Sequence, residues 1–578
     1  MNDTQSRLVK AAQKGELLEV AYEMYRAEWD ERKTVSDALS EVHNKGLVDA
    51  IKEYRKLTRD DSKRDFFMLR HALEDALPTI NAPVREVLEC VKHLTLAAGN
   101  DMAAGALISP FIKYCKADKT RPDEVLNYAI EEIDQEIDFV TPAILAGSSH
   151  DLNAFVSKAI SLCGDDCLIT KRRAVHALGR VTYEGDETLV FQAYKAVVLL
   201  SEELTDGAIY AEILKTLFAL SQEHAEVEKK ALSIVDSISK LVDERLTHSA
   251  SDILFFESDK ITDDMLERLL AILVHTLPKN GGTIDHIDYG LQKMVQNGKF
   301  DQVVLFLEKL FEQCDYQIDV TVFDSFVREL FQNKEGYLQP LLTKWLLAKK
   351  VKLGRFCFEM LNSVTDKGIP LAIDSPQLKG LESGAFLFLA RKACGWFFMR
   401  PVSAVSLMLS SIELASEDEV DQITEVIFDP LLISYPGSIR DYFDSIYDDS
   451  NSIVQSTIEE LRKRLEAYHE GLKATQEIKE LLPPEVDRET YARYQNRLMN
   501  DSYKGARKSS IFSMIATESV LLYGRSSIHY ISHGDKKTRQ ETPLQMFSHS
   551  VEYPSLECLD PHGLDSAIRR FRIEGCRS

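Results

Sequence analysis

The chain is 578 residues long, 44% hydrophobic and 28% charged, with a formal net charge of −23 at pH 7. That length exceeds what one core usually holds, so several domains or an elongated repeat are expected, while the ordinary apolar content excludes disorder as the default state. The acidic balance disfavours nonspecific binding of nucleic acid or of an anionic membrane, both of which attract basic surfaces.

The chain starts Met1-Asn2-Asp3-Thr4-Gln5, without the apolar segment of a secretory signal. Its longest apolar run, Ala385 to Ala390, is far short of the ~20 residues that span a membrane. Nine scattered cysteines fit reduced thiols better than a disulfide framework. A soluble, cytoplasmic protein is expected.

Residues 1–80 read as an N-terminal helical cap. Beyond them apolar residues recur at spacings of three, four and seven, the period of an amphipathic helix. Pro83 opens a helix that closes at Gly99-Asn100, and Thr120-Arg121-Pro122 opens another. The acidic run Glu131 to Asp138 is placed on a helix with Ile133 and Ile137 inward, which makes it a solvated face. Asp151 is an N-cap whose helix carries the stripe Leu152, Phe155, Val156, Ala159 and Ile160 and ends at Gly164. A second stripe runs through Val227, Ala231, Ile234, Val235, Ile238, Leu241 and Val242, and Thr262 caps the segment that leads to Pro278. Helix pairs start near Pro83, Pro122, Asp151, Asp186, Glu223, Asp263, Lys299 and Glu335, about 36 residues apart. One pair buries too little apolar surface alone, so neighbours must stack. The breaker-rich loops Pro278 to Thr283 and Asp366 to Gly384 divide the array into residues 81–278 and 279–450.

The clearest repeat is Leu152 to Tyr183. Ala154 to Cys163 is followed by Gly164-Asp165-Asp166, and then by Lys171-Arg172-Arg173-Ala174-Val175-His176-Ala177-Leu178-Gly179. This segment resembles a HEAT repeat, and the Trp and Gly-Tyr pattern of tetratricopeptide repeats is missing. The resemblance implies an α-solenoid in which an acidic turn residue and a basic residue six positions later, here Asp166 and Arg172, form a ladder between repeats. The fold class expected is all-α: stacked helix pairs, then a long helix and a mixed, partly extended C-terminal segment.

Residues 451–484 form the long amphipathic helix, with a heptad-like seam at Val454, Ile458, Leu461, Leu465, Tyr468 and Leu472. A helix laid along the end of the solenoid is favoured over a short inter-chain coiled coil. Pro483-Pro484 stops it. Residues 485–578 hold 14 Lys and Arg against 12 Asp and Glu, net +2; subtraction from the chain totals of 69 and 92 leaves 55 against 80, net −25, in residues 1–484. The acidic imbalance therefore belongs to the solenoid. Past Tyr523 the helical period fades, and Ser527 to Ser532 and Pro543 to Tyr553 read as extended chain. A chain ending near Leu482 is expected to fold by itself.

No phosphate loop, dinucleotide fingerprint, paired CxxC, HExxH, nucleophile elbow or calcium loop is present in the sequence. Cys163 and Cys167 have only His176 nearby, too few ligands for zinc, and read as packing thiols. Gly147 to Asp151 is a polar loop. In the C-terminal segment His529 and His533 share a face, with His549, His562, Asp535, Glu541, Glu552 and Asp560 as conceivable partners in a catalytic or metal site. One helix carries Arg493, Arg497, Lys504, Arg507 and Lys508 within about 100° of one face, provided Asn500-Asp501-Ser502 does not break it. Interleaved with Tyr491, Tyr494 and Tyr503, the stripe suits an acidic protein surface, the chain's own solenoid included, or single-stranded nucleic acid.

The function expected is a non-enzymatic scaffold whose acidic solenoid presents itself to a protein partner, with a C-terminal docking segment. No catalytic residue, cofactor or metal ligand is assigned. The alternatives are a small C-terminal catalytic or metal module around His529 and His533, and a nucleic-acid-binding solenoid using the Arg493–Lys508 stripe. Nucleic acid is disfavoured for residues 1–484 and allowed for the rest.

Overall fold

The spacing of three and four produces helices wherever enough apolar residues fall on one side. The computed structural model describes residues 2–27, 32–59, 65–134, 136–203, 206–333, 335–364, 368–378, 384–475, 478, 484–509, 526–533, 536–543, 552 and 554–576. Helices dominate the described residues, and the chain divides into two units, Met1–Asn333 and Lys334–Ser578.

The first unit contains α1 (Asp3–Lys14), α2 (Leu17–Ala27), α3 (Arg32–Asn44), α4 (Ala50–Tyr54), α5 (Phe66–Ala76), α6 (Val84–Ala98), α7 (Ile108–Lys116), α8 (Arg121–Glu131), α9 (Val140–Ser148) and α10 (Leu152–Cys163). It continues with α11 (Leu168–Leu178), α12 (Glu187–Glu203), α13 (Gly207–Glu223), α14 (Ala225–Ile238), α15 (Glu244–Phe256), α16 (Asp263–Leu273), α17 (Gly281–Gln296), α18 (Phe300–Gln313) and α19 (Asp324–Gln332). The pair-opening helices α6, α8, α10, α12, α14, α16 and α18 start within two residues of the positions read from the sequence. Their caps are local chemistry: the Asp151 carboxylate accepts the Ala154 N–H at 3.0 Å, and proline sits in the first turn of α8.

The pairs stack in two rows. Helices α5, α7, α9, α11, α13, α15, α17 and α19 pack one on the next, and α12, α14 and α16 do the same on the other side. Leu214, Leu217, Val235, Leu246, Leu269, Leu291 and Leu307 are fully buried between the rows. Each such side chain contributes roughly 1.5–3 kcal/mol on leaving water. Close approach is needed at Gly179, where a Cβ would lie 2.9 Å from Cα of Thr216 on α13. The stripe of α14 ends sooner than the sequence suggests. The helix stops at Ile238, so Leu241 and Val242 stay exposed.

Polar contacts between neighbouring repeats keep the same period. Lys299 meets Asp263 and Lys215 meets Asp252, both at 2.6 Å; His176 meets Glu212 at 2.8 Å. Buried Asp288 on α17 accepts the N–H groups of Ser325 and Phe326 at 3.0 and 2.9 Å, capping α19 from the repeat before. The ladder expected from Asp166 and Arg172 is not made by that pair. Arg173, buried one position on, reaches back to Asp138 at 3.6 Å and to the Asp134 carbonyl at 2.5 Å. The acidic run is also not a helical face, because α8 stops at Glu131 and α9 begins only at Val140. Asp134 there accepts the Glu136 and Ile137 N–H groups, each at 2.9 Å, and pairs with Lys92. Burial pushes its carboxyl up, but Lys92 and those two N–H groups outweigh burial and hold it below the usual range.

The second unit contains α20 (Leu338–Leu347), α21 (Val351–Val364), α22 (Ser375–Leu378), α23 (Ala385–Phe397), α24 (Pro401–Ile412), α25 (Glu417–Val426), α26 (Pro436–Ile446), α27 (Ser452–Thr475) and α28 (Glu485–Ser509). A hairpin of β1 (Ser526–His533) and β2 (Lys536–Pro543) follows, then α29 (Leu556–Leu559) and α30 (Pro561–Ile573). The strands are antiparallel, with His529 opposite Gln540 and His533 opposite Lys536. The extended reading of Ser527 to Ser532 thus lies on β1. Most of Pro543 to Tyr553 lies outside the described residues. In α27 the seam residues Val454, Ile458, Leu461 and Leu465 are buried, with α27 packed on α24. The seam therefore faces this chain's own helices.

The loop after α21 is held in a specific way. Residues 369–374 lie extended along α24, and alternate N–H groups point at serines one helical turn apart. Ile369 donates to Ser403 at 2.9 Å, Leu371 to Ser406 at 2.8 Å and Ile373 to Ser410 at 2.9 Å. An extended chain advances about 3.3 Å per residue and a helix 1.5 Å. Two strand residues therefore match about four helical ones, the spacing these serines have.

Candidate interaction surface

In the first unit, α11, α13, α15 and α17 carry a continuous polar and aromatic face. Starting from α11, His176 Nδ1 lies 2.8 Å from a Glu212 oxygen. Burial pushes the Glu212 carboxyl up, but the His176 hydrogen bond, with the charges of His176, Lys215 and Arg172, holds it below the usual range. One turn along α13, Lys215 donates to Asp252 of α15 at 2.6 Å. His248 and Asp252 are four apart on α15, and His286 of α17 stacks on Phe255 with ring centroids 4.7 Å apart.

The face then becomes aromatic. Phe255 packs edge-on to Phe256 at 4.6 Å and to Tyr289 at 5.3 Å, leaving Phe256 67% and Tyr289 52% exposed. Beside Phe256 a groove of about 480 Å³ runs between α13 and α15. Phe218, Ala219 and Ile253 form its floor, and Glu223, Glu257, Lys215 and Lys260 stand at its edge. Sequence reading missed this face because its residues come from different repeats. The available signal was the 36-residue period itself, which places Lys215 over Asp252 and His176 over Glu212.

The second unit shows where the C-terminal segment goes. Helix α30 packs on α23, burying Leu564, Ile568 and Phe571. Gly395 of α23 makes room, since a Cβ there would lie 3.0 Å from the Arg572 nitrogen and 3.1 Å from Cβ of Phe571. Arg572 donates to the Gly395 carbonyl at 2.7 Å and lies over the Trp396 ring at 4.9 Å. Buried Lys392 donates to the Arg572 carbonyl at 2.7 Å, and Arg391 pairs with Glu574 at 2.6 Å. Upstream, Glu552 accepts the Gly437 and Ser438 N–H groups at 2.6 and 2.8 Å, an anion at the start of α26. Helix α30 thus belongs to the core of this unit, which corrects the expectation that a chain ending near Leu482 is self-sufficient.

Helix α28 is unbroken across Asn500-Asp501-Ser502. Arg493, Arg497 and Lys504 are exposed; Arg493 pairs with Glu489 at 2.8 Å and Lys504 with Asp501 at 3.7 Å, both on the same helix. Arg507 and Lys508 lie on α28 with side chains outside the described residues, as does that of Tyr503. Tyr494, Leu498 and Met499 are exposed, while Gln495 reaches Glu557 of α29 at 3.2 Å. Docking on the chain's own body is made by α30 and Glu552.

His529 and His533 occupy β1, with side chains outside the described residues; His549 and Asp535 lie outside them altogether. Glu552 is engaged at α26, Asp560 caps α30 by accepting the Gly563 N–H at 2.9 Å, and His562 is exposed. All nine cysteines are free thiols. Burial pushes Cys163 up to about 12, whereas Cys167, at the start of α11, is lowered by the Thr170 N–H. His176 serves Glu212. Among the described residues no helix is long and apolar enough to cross a membrane.

Stacked helix pairs with contacts recurring from one repeat to the next define an all-α helical-repeat protein. No protein-family model matches the chain, and no curated relative matches it. Among known structures the chain is similar to a chain in a homology model of the full-length AP-3 complex in an intermediate open conformation. Identity there is 12%, over 75% of this chain and 77% of that one, with a TM-score of 0.33. It is also similar to an engineered protein solved in a structural-genomics programme, at 14% identity over 74% of this chain and 98% of that one, with a TM-score of 0.22.

Proposed function

We propose that this chain is a non-enzymatic, HEAT-like scaffold of the cytoplasm that holds a protein partner on the α13–α15–α17 face. The observation that carries this reading is the exposed pair Phe256 and Tyr289 beside a groove edged by Glu223 and Glu257. Exposed aromatics next to a pocket are the usual anchors of an interface. The acidic edge, in a region of net charge −25, favours a partner segment that carries basic residues beside an apolar one. Free thiols throughout support a reducing compartment.

The test is purification of the protein from the cells that make it, as wild type and as Phe256→Ala with Tyr289→Ala. A specific partner should be retained by the wild type and reduced at least tenfold in the variant, with an unchanged melt because both rings are exposed. Equal retention of that partner would sink the assignment of this face.

The α28 stripe is a second contact, in which Arg493, Arg497, Lys504, Arg507 and Lys508 meet an acidic patch of the partner. Its support is the exposure of Arg493, Arg497 and Lys504 together with Tyr494 and Met499. Changing Arg493, Arg497 and Lys504 to Glu should weaken retention at low salt while the melt stays in place. Normal retention at low salt would make the stripe a solvated face.

A further inference from the structure

We propose that His248, Asp252 and His286 form a binding site for a divalent transition metal of the zinc class. Their ligand atoms all lie within 4.8 Å of one another. His286 Nδ1 is 3.1 Å and His248 Nε2 is 3.6 Å from the same oxygen, Oδ1 of Asp252. Two ligands on one tetrahedral zinc, each bound at about 2.0–2.1 Å, are separated by about 3.3 Å. The two separations from Asp252 Oδ1 are therefore close to those of a donor set around one small ion.

Three further observations point the same way. His286 Nδ1 is buried and makes no hydrogen bond despite its closeness to Asp252. Two ring nitrogens and a carboxylate oxygen facing one point need a shared cation or a proton between them. The outer contacts suit the ion: His248 Nδ1 lies 3.2 Å from the Thr283 hydroxyl, which can accept an Nδ1–H and so leave Nε2 as the metal ligand. The other Asp252 oxygen is held by Lys215 at 2.6 Å, which orients the carboxylate and leaves Oδ1 for the metal. The backbone enforces the meeting, because His248 and Asp252 share one face of α15 and Phe255 stacks on the His286 ring. Two nitrogens and one oxygen leave a fourth position for water. The Lys215 ammonium opposes a second positive charge nearby, which limits the affinity without removing the site.

The test titrates the full-length chain, stripped with chelator and kept reduced by a phosphine, with Co2+ and then Zn2+. One equivalent of Co2+ should bind with visible bands of a low-symmetry nitrogen and oxygen site, without a thiolate charge-transfer band, and Zn2+ should displace it. His248→Ala, Asp252→Asn and His286→Phe should each weaken binding at least tenfold. His286→Phe keeps a ring stacked on Phe255, so its loss of metal is separable from loss of fold, which circular dichroism monitors. Absence of stoichiometric Co2+ binding, a thiolate band on the bound ion, or undiminished binding by folded His248→Ala and His286→Phe would each overturn the site.

Discussion

A chain that stops at Leu559 is expected to lose the cooperative melt of the second unit while the melt of the first persists. Helix α30 buries Leu564, Ile568 and Phe571 against α23. At roughly 1.5–3 kcal/mol per side chain, these three together contribute about 5 kcal/mol or more. A domain is stable by only about 5–15 kcal/mol in total, so a loss of this size is most of the margin. The same deletion uncovers Trp396 and the Lys392 ammonium, whose partners Arg572 and Cys576 lie in the removed residues. A gentler version is Gly395→Ala, since its methyl group would meet backbone nitrogen 3.0 Å away and push α30 outward. Both variants should show early protease cleavage confined to residues after 334. An unchanged thermal melt in the shortened chain would mean that α30 only decorates α23.

Ser406→Ala is expected to destabilise the second unit by about 1–3 kcal/mol, the cost of leaving a buried N–H unpaired. The Leu371 N–H has its acceptor in Ser406, and both residues are buried. Ser403 does more, since its hydroxyl accepts the Ile369 N–H and donates to the Ile369 carbonyl at 2.7 Å. The double variant Ser403→Ala with Ser406→Ala should therefore release residues 369–374 from α24. Hydrogen exchange at Ile369, Leu371 and Ile373 would then accelerate together, because the three bonds form one strap. Ser445→Ala is the control. That hydroxyl is exposed and bonds only within its own helix, to the Tyr442 carbonyl at 2.6 Å, so its loss should leave the melt within about 0.5 kcal/mol of wild type. Equal effects from Ser406→Ala and Ser445→Ala would show that the strap contributes nothing.

What could be read in the sequence was local. The starts of α6, α8, α10, α12, α14, α16 and α18 follow from caps, prolines and the three-four spacing, all of which act within a few residues. The seam of α27 is legible for the same reason. The repeat length is legible too, and with it the prospect of contacts 36 residues apart.

Choices between chemically equivalent partners were left to the tertiary structure. Arg172 and Arg173 are adjacent cations, and only the rotation of α11 against α9 decides that Arg173 is the buried one that reaches Asp138. The acidic run 131–138 has a helical pattern, but the helix ends at Glu131 and leaves Asp138 to meet Arg173, because a buried cation needs an anion. Helix α23, Ala385–Phe397, is apolar almost all round, so it announces that two faces need cover without saying what covers the second. The answer lies in α30, some 170 residues later. Its amphipathic pattern of Leu564, Ile568 and Phe571 fits many apolar faces, and Gly395 gives it this one. His248, Asp252 and His286 are ordinary residues on two helices of ordinary pattern. Only the stacking of α17 on α15 brings their donor atoms to one point, because the information that sets that distance is spread over every side chain packed between the two helices.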